Sequence, residues 1–207
     1  MVLPMDAKLE PAEGVRPDTA APKAGDPWAL RLPPRALLLV AGVPGAGKTT
    51  LLGQVDTPGS AVLDPETIRQ DFRRRLGRLP YRLWRPLVYA RHYLRLLLAL
   101  RGSAGLVVHE PGTRAWLRRL LVLAAARAGR QAHLLLLEVS LPDALAGHRQ
   151  RRRALPRPAF ERHWRRWQRL RRRPGRLDAE GWASVRLLDR AEADRLRRIE
   201  IPPAQRS

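Results

Sequence analysis

The chain has 207 residues, 44% of them apolar, with 40 Lys and Arg against 19 Asp and Glu, a formal charge of +21 and no cysteine. This length suits one globular domain with tails, the missing cysteine excludes a disulfide framework and a thiolate zinc site, and no apolar run reaches the roughly 18 residues of a membrane span. No secretory signal opens the N-terminus, so a soluble, cytoplasmic monomer without membrane association is expected.

Only Lys8, Lys23 and Lys48 are lysines, so arginine supplies nearly all of the positive charge. Together with abundant Ala, Leu, Pro and Gly, that bias fits GC-rich coding. A nucleic-acid partner is the less favoured account of the charge, because phosphate binding depends on charge gathered on one face.

Residues 1–30 carry Pro4, Pro11, Pro17, Pro22 and Pro27 with little apolar periodicity, which predicts a disordered tail. Residues 31–200 are expected to form the domain, and 201–207 a second tail. From 36 onward short apolar runs alternate with amphipathic stretches, the pattern of an α/β fold with a mainly parallel sheet. The first predicted strand, 36–41, leads into Gly42-Val43-Pro44-Gly45-Ala46-Gly47-Lys48-Thr49, a full match to the phosphate-loop pattern G-x-x-x-x-G-K-[ST]. Backbone N–H groups of such a loop converge on one anion where a helix, predicted at 48–54, begins. Lys48 would reach the β- and γ-phosphates of ATP, and the Thr49 hydroxyl would ligate Mg²⁺, with Thr50 beside it.

The second strand, 61–63, runs into Asp64-Pro65-Glu66-Thr67-Ile68-Arg69 and a helix over 66–76. Asp64, Pro65 and Glu66 also read as an N-cap, first-turn proline and first-turn acid. A helix over 83–100 precedes the third strand, 106–109, which ends in Glu110. An acid at that point has the form of a Walker B carboxylate holding a metal-bound water, and His109 before it reads as packing. Helix 113–128, strand 133–139 and helix 143–153 follow. The last of these contains Arg149, Arg152 and Arg153. In helix 159–172, Phe160, Trp164, Trp167 and Leu170 recur at helical spacing among Arg162, Arg165, Arg166 and Arg169. This stripe reads as a core-facing side, with base stacking as the alternative. Strand 184–188 closes the pattern.

The phosphate loop followed by an acid-x-x-Arg motif after the second strand resembles the polynucleotide-kinase and zeta-toxin group of small P-loop, AAA-type kinases. The resemblance implies a three-layer α/β/α sandwich with about five strands and a helical, arginine-rich lid. It implies Glu66 as general base toward an acceptor hydroxyl, Arg69 as a substrate-binding residue, and Arg149, Arg152 and Arg153 as lid residues that neutralise the transferring phosphoryl group. The family acid is usually Asp, and a longer Glu side chain could move the carboxylate by about 1 Å, enough to matter for rate. Asp64 is the second candidate. The expected function is transfer of the ATP γ-phosphate to an unidentified hydroxyl acceptor. The alternatives are an ATP-dependent switch and a nucleic-acid-binding protein with an accessory ATP site.

Overall fold

A computed structural model describes residues 26–149, 156–172 and 175–204. The chain begins with β1 (Trp28–Arg31) and β2 (Leu37–Ala41), then α1 (Lys48–Gln54), β3 (Ser60–Leu63), α2 (Pro65–Leu76) and α3 (Tyr81–Leu100). It continues with β4 (Gly105–His109), α4 (Ala115–Arg127), β5 (Ala132–Leu137), α5 (Leu141–Arg149) and α6 (Arg157–Arg171). The last elements are α7 (Gly175–Asp178), β6 (Ser184–Leu188), α8 (Arg190–Arg195) and β7 (Leu196–Glu200).

Five strands form one parallel sheet in the order β3-β4-β2-β5-β6. Its register pairs Leu37 with Leu106 and Ala132, and Leu137 with Leu188. Every residue of β2 and β5 is buried, as unbroken apolar runs demand when helices cover both faces of a sheet. With β2 in the centre, the loop that follows it emerges in the middle of the carboxyl edge, where open α/β sheets bind ligands. The five strands and six long helices lie close to the predicted ranges. The arrangement is the expected α/β fold.

Both ends differ from expectation. The predicted tail over 1–30 ends too late, because β1 pairs in parallel with β7, matching Trp28 to Leu196 and Arg31 to Glu200. Pro27 and Pro33 flank a strand of four residues, and its partner lies at the other end of the chain, so no local pattern marks it. Residues 201–204 likewise belong to the domain. Ile201 is buried, the Arg35 N–H donates to the Pro202 carbonyl at 2.8 Å, and the Ala204 N–H donates to that of Ser103 at 3.1 Å. The predicted helix over 143–153 begins two residues earlier, and residues 150–155 lie outside those described.

Part of the arginine excess is structural. Buried Arg130 donates to the carbonyls of Leu100 (2.8 Å), Ala99 (3.2 Å), Gly102 (2.6 Å), Ala104 (2.8 Å) and Arg35 (2.6 Å). One guanidinium thus satisfies the carbonyls that the end of α3 leaves without helical partners and ties them to the entries of β2 and β4. On α6, Phe160 and Trp167 are buried in the core while Arg162, Arg165, Arg166 and Arg169 are exposed, so those two rings hold the helix down and are not offered to bases. No helix among the described residues is long and apolar enough to cross a membrane.

Candidate nucleotide and acceptor site

The loop between β2 and α1 turns on its glycines. Gly45 (φ 91) and Gly47 (φ 86) adopt left-handed backbone, where a side chain is strained. Space matters as much as angle. A Cβ on Gly45 would lie 2.0 Å from the Ala144 carbonyl oxygen, and one on Gly147 would lie 2.5 Å from that of Gly45. Facing glycines therefore let α5 rest directly on the phosphate loop. Gly42 (φ 158) also needs room, since a Cβ there would lie 3.1 Å from the Leu137 carbonyl oxygen. Val43, Pro44 and Ala46 are buried in the loop wall, and Thr49 and Thr50 are exposed on α1.

Lys48 is 3% exposed. Its Nζ donates to the carbonyls of Gly42 at 2.6 Å and Val43 at 3.0 Å, so the ammonium is held inside the loop that it would share with a phosphate. Glu110 lies next to this charge. It is 5% exposed, its Oε1 accepts from the Tyr93 hydroxyl at 3.3 Å, and His92 Nε2 is 3.8 Å away. Burial pushes its carboxyl up to about 7, against the opposing pull of Tyr93, Arg114 and Lys48.

These residues fit Mg-ATP. Lys48 supplies a cation inside the loop, Thr49 an exposed hydroxyl, and Glu110 a buried carboxyl that accepts from Tyr93. Among the described residues no cluster of three or more His, Asp or Glu could hold a metal ion by itself.

On the acceptor side, Asp64 caps α2, its Oδ1 accepting from the Glu66 N–H at 2.8 Å, while its Oδ2 lies 3.2 Å from His109 Nδ1. Burial raises the Asp64 carboxyl, but His109, the Glu66 amide and His92 outweigh it, and the net shift is downward. Glu66 is more open. Its Oε1 accepts from Arg69 Nη2 at 2.6 Å, and its Oε2 has no partner among the described residues. Arg149 is exposed at the end of α5, the helix that packs on the phosphate loop. Arg152 and Arg153 lie outside the described residues.

Several residues around this edge carry no motif. His109, expected as packing, faces Asp64. Thr113 Oγ1 and His163 Nδ1 are 2.9 Å apart, which joins α6 to the loop after β4. Buried Arg118 donates to the Gly112 carbonyl at 2.6 Å and is paired with Glu180. Pro111 in turn accepts from the Gly42 N–H at 3.2 Å. Segment 110–113 is thus a hub that links the phosphate loop, α4 and α6. The only sequence signal for it was its place after a buried strand.

Burial holds His92, His133 and His163 down at about 4, against an ordinary 6.5. Each binds a proton more readily when unfolded, so the stability they supply is present above about pH 6.5 and lost as pH falls toward 4. Glu110 acts in the opposite sense: its raised value favours the folded state below the ordinary 4.5, and that contribution fades as pH rises through about 7. Three histidines outweigh one carboxyl. Stability is expected to drop by on the order of a few kcal/mol between pH 7 and pH 4. Thermal melts across that range check this, and a flat profile would contradict it.

The profile of a family described as AAA domain matches residues 37–174, well over half of the chain. No curated protein matches the sequence. Among solved structures, one from the PezAT chromosomal toxin-antitoxin system of Streptococcus pneumoniae is similar, with TM-score 0.57 and 13% identity, covering 83% of this chain and 72% of that one. A tunicamycin resistance protein of Deinococcus radiodurans aligns at TM-score 0.40 and 24% identity, over 66% of this chain and 80% of that one. A sugar kinase from a Janibacter species aligns at TM-score 0.40 and 16% identity, over 75% and 86%. A glycine-rich loop emerging from the central strand of a five-stranded parallel sheet, a buried lysine at its end and a family match across that whole region agree: the chain belongs to the AAA domain family and has a P-loop, kinase-like, nucleotide-binding fold.

Proposed function

We propose that the protein is a kinase that transfers the γ-phosphate of Mg-ATP to a hydroxyl group, with Glu66 as the base. The observation that carries this is Oε2 of Glu66, on the first turn of α2, which has no partner among the described residues. Asp64 has both oxygens engaged, one on the helix cap and one on His109. Glu66 therefore has the oxygen to spare, and Arg69 fixes the orientation of its carboxylate.

β3 and β2 are separated by β4 alone, so the start of α2 and the phosphate loop stand about 10 Å apart along the sheet edge. A triphosphate in the loop and a hydroxyl beside Glu66 can meet across that gap. In the reaction the acceptor oxygen attacks the γ-phosphorus, the bond to ADP breaks, and the hydroxyl proton passes to Glu66. When bound, Mg²⁺ would offset phosphate charge, with Thr49 and Glu110 as the residues placed to hold it. Lys48 and Arg149 would contribute further positive charge, and the resemblance adds Arg152 and Arg153.

ATP consumption by the purified chain across a panel of hydroxyl acceptors tests the proposal. Glu66→Gln should lower kcat by on the order of 10²–10⁴-fold with ATP affinity kept. Asp64→Asn should chiefly weaken the α2 cap and the His109 contact. If no acceptor speeds turnover while ATP binds, the protein is a nucleotide switch instead; if acceptor-dependent turnover survives Glu66→Gln, Glu66 is not the base.

A further inference from the structure

A helix laid on a sheet normally turns one apolar side inward and a polar side to water. α6 obeys this, with Phe160 and Trp167 buried and its arginines exposed. α3 does not. Its core side carries Trp84, Val88, Leu96 and Leu100. On the opposite side Leu83, Leu87, Leu94, Leu97 and Leu98 are 51–60% exposed and fall within about 100° of one another. On α4, Trp116, Leu120 and Leu123 are 48–58% exposed and fall within about 60°, turned away from buried Leu117 and Leu121. Right-handed crossovers from β3 to β4 and from β4 to β5 place both helices on one face of the sheet, where they pack against each other. Nine of the twelve large apolar side chains exposed among the described residues lie on these two helices, so the patch does not follow from composition alone. An apolar area on the order of several hundred Å² marks an interaction surface.

The polar groups around the patch narrow its partner. Neither helix contains an Asp, Glu, Ser, Thr, Asn or Gln, whereas the long helices α2 and α6 both carry acids. Arg91 and Arg95 run along one edge of the α3 stripe, Arg101 follows its end, and Arg119 and Arg127 accompany the α4 stripe; all five are exposed. The patch thus offers positive charge and hydrogen-bond donors around apolar side chains, with no acid of its own. A second copy of the chain would set arginine against arginine. The surface of a bilayer with anionic lipid is the complement: negative charge, phosphate oxygens that accept from guanidinium forks, and acyl chains beneath.

We propose that the outer face of α3 and α4 docks the protein peripherally on a bilayer containing anionic lipid. The leucines enter the boundary between headgroups and acyl chains, Trp116 lies at headgroup level, and the arginines hold lipid phosphate. Such a contact needs no spanning helix. With 20 residues, α3 lies along the surface for about 30 Å. The phosphate loop opens at the carboxyl edge of the sheet and not on this face, so a docked protein keeps its nucleotide site open to water. The inference is independent of the kinase reading.

Co-sedimentation of the full chain with vesicles of phosphatidylcholine, with and without phosphatidylglycerol, is the test. The anionic vesicles should bind the protein and the neutral ones should bind it weakly. Leu94→Glu/Leu98→Glu should weaken binding at least about 10-fold, with the melting temperature kept because both side chains are more than half exposed. Leu120→Glu/Leu123→Glu on α4 should do the same, and serves if the first variant does not fold. Arg165→Ala/Arg166→Ala on α6 removes the same amount of net charge and should leave binding within about twofold. The inference is overturned if anionic vesicles do not bind the protein, if neutral vesicles bind it equally, or if the α3 and α4 variants bind like the parent. An equal loss in the α6 variant would mark diffuse charge and overturn it too. A dimer in lipid-free solution that Leu94→Glu/Leu98→Glu dissolves would give the face to a second copy instead. Capture of a synthetic acidic amphipathic helix without any vesicle binding would give it to a protein partner.

Discussion

Lys48→Ala is expected to lower phosphoryl transfer by on the order of 10²–10³-fold, the usual cost of deleting one pre-positioned stabiliser of transition-state charge. The basis is where the ammonium sits. Nζ is buried within the loop on the carbonyls of Gly42 and Val43, so the positive charge is already desolvated and already inside the loop. Such a charge acts strongly on a nearby phosphate because little water screens it. Removing it also leaves two loop carbonyls without this donor, so ATP affinity should fall along with turnover. Calorimetric titration with Mg-ATP, beside a melting curve that confirms folding, checks both effects. Should the variant take up ATP like the parent, the loop is not a triphosphate site.

The second large effect is on stability. Glu180→Ala is expected to cost about 3–5 kcal/mol, because it leaves Arg118 as an uncompensated buried charge. The pair is bidentate, at 2.8 and 2.5 Å, with both side chains nearly inaccessible. The Trp182 Nε1 also donates to Glu180 Oε2 at 3.1 Å, so three hydrogen bonds from two side chains depend on one carboxylate. For a chain of this size each kcal/mol shifts Tm by about 2–4 °C, which makes the expected drop about 6–20 °C.

Loosening should reach the phosphate loop as well. Arg118 holds the Gly112 carbonyl, and Gly112 stands so close to the end of β2 that a Cβ there would lie 2.3 Å from that of Ala41. Its neighbour Pro111 accepts from the Gly42 N–H. Weaker ATP binding should therefore accompany the lower Tm. Replacing both partners by leucine should restore much of the stability, since an apolar pair carries no desolvation cost, without restoring the hold on Gly112. A Tm loss under about 2 °C for Glu180→Ala would show that the pair is not structural.

Taken alone, the sequence determined the phosphate loop, the five sheet strands and the long helices. Each of these is encoded by neighbours in the chain: a glycine pattern that only one tight turn needs, and apolar runs whose length separates buried strands from helices. It also put Phe160 and Trp167 on one stripe by helical spacing, while only the structure shows that this stripe faces inward. Tertiary structure decided the rest. β1 and β7 lie at opposite ends of the chain and find each other only once the domain is assembled. Arginine gave no way to tell a buried structural role from a surface one, because Arg130, buried on carbonyls at the end of α3, and Arg73, exposed on α2, are the same residue type. What distinguishes them is which carbonyls or carboxylates packing brings within reach. The same holds for Asp64 and Glu66: both are acids on one turn, and only the folded positions of His109 and Arg69 leave one of them with an oxygen to spare.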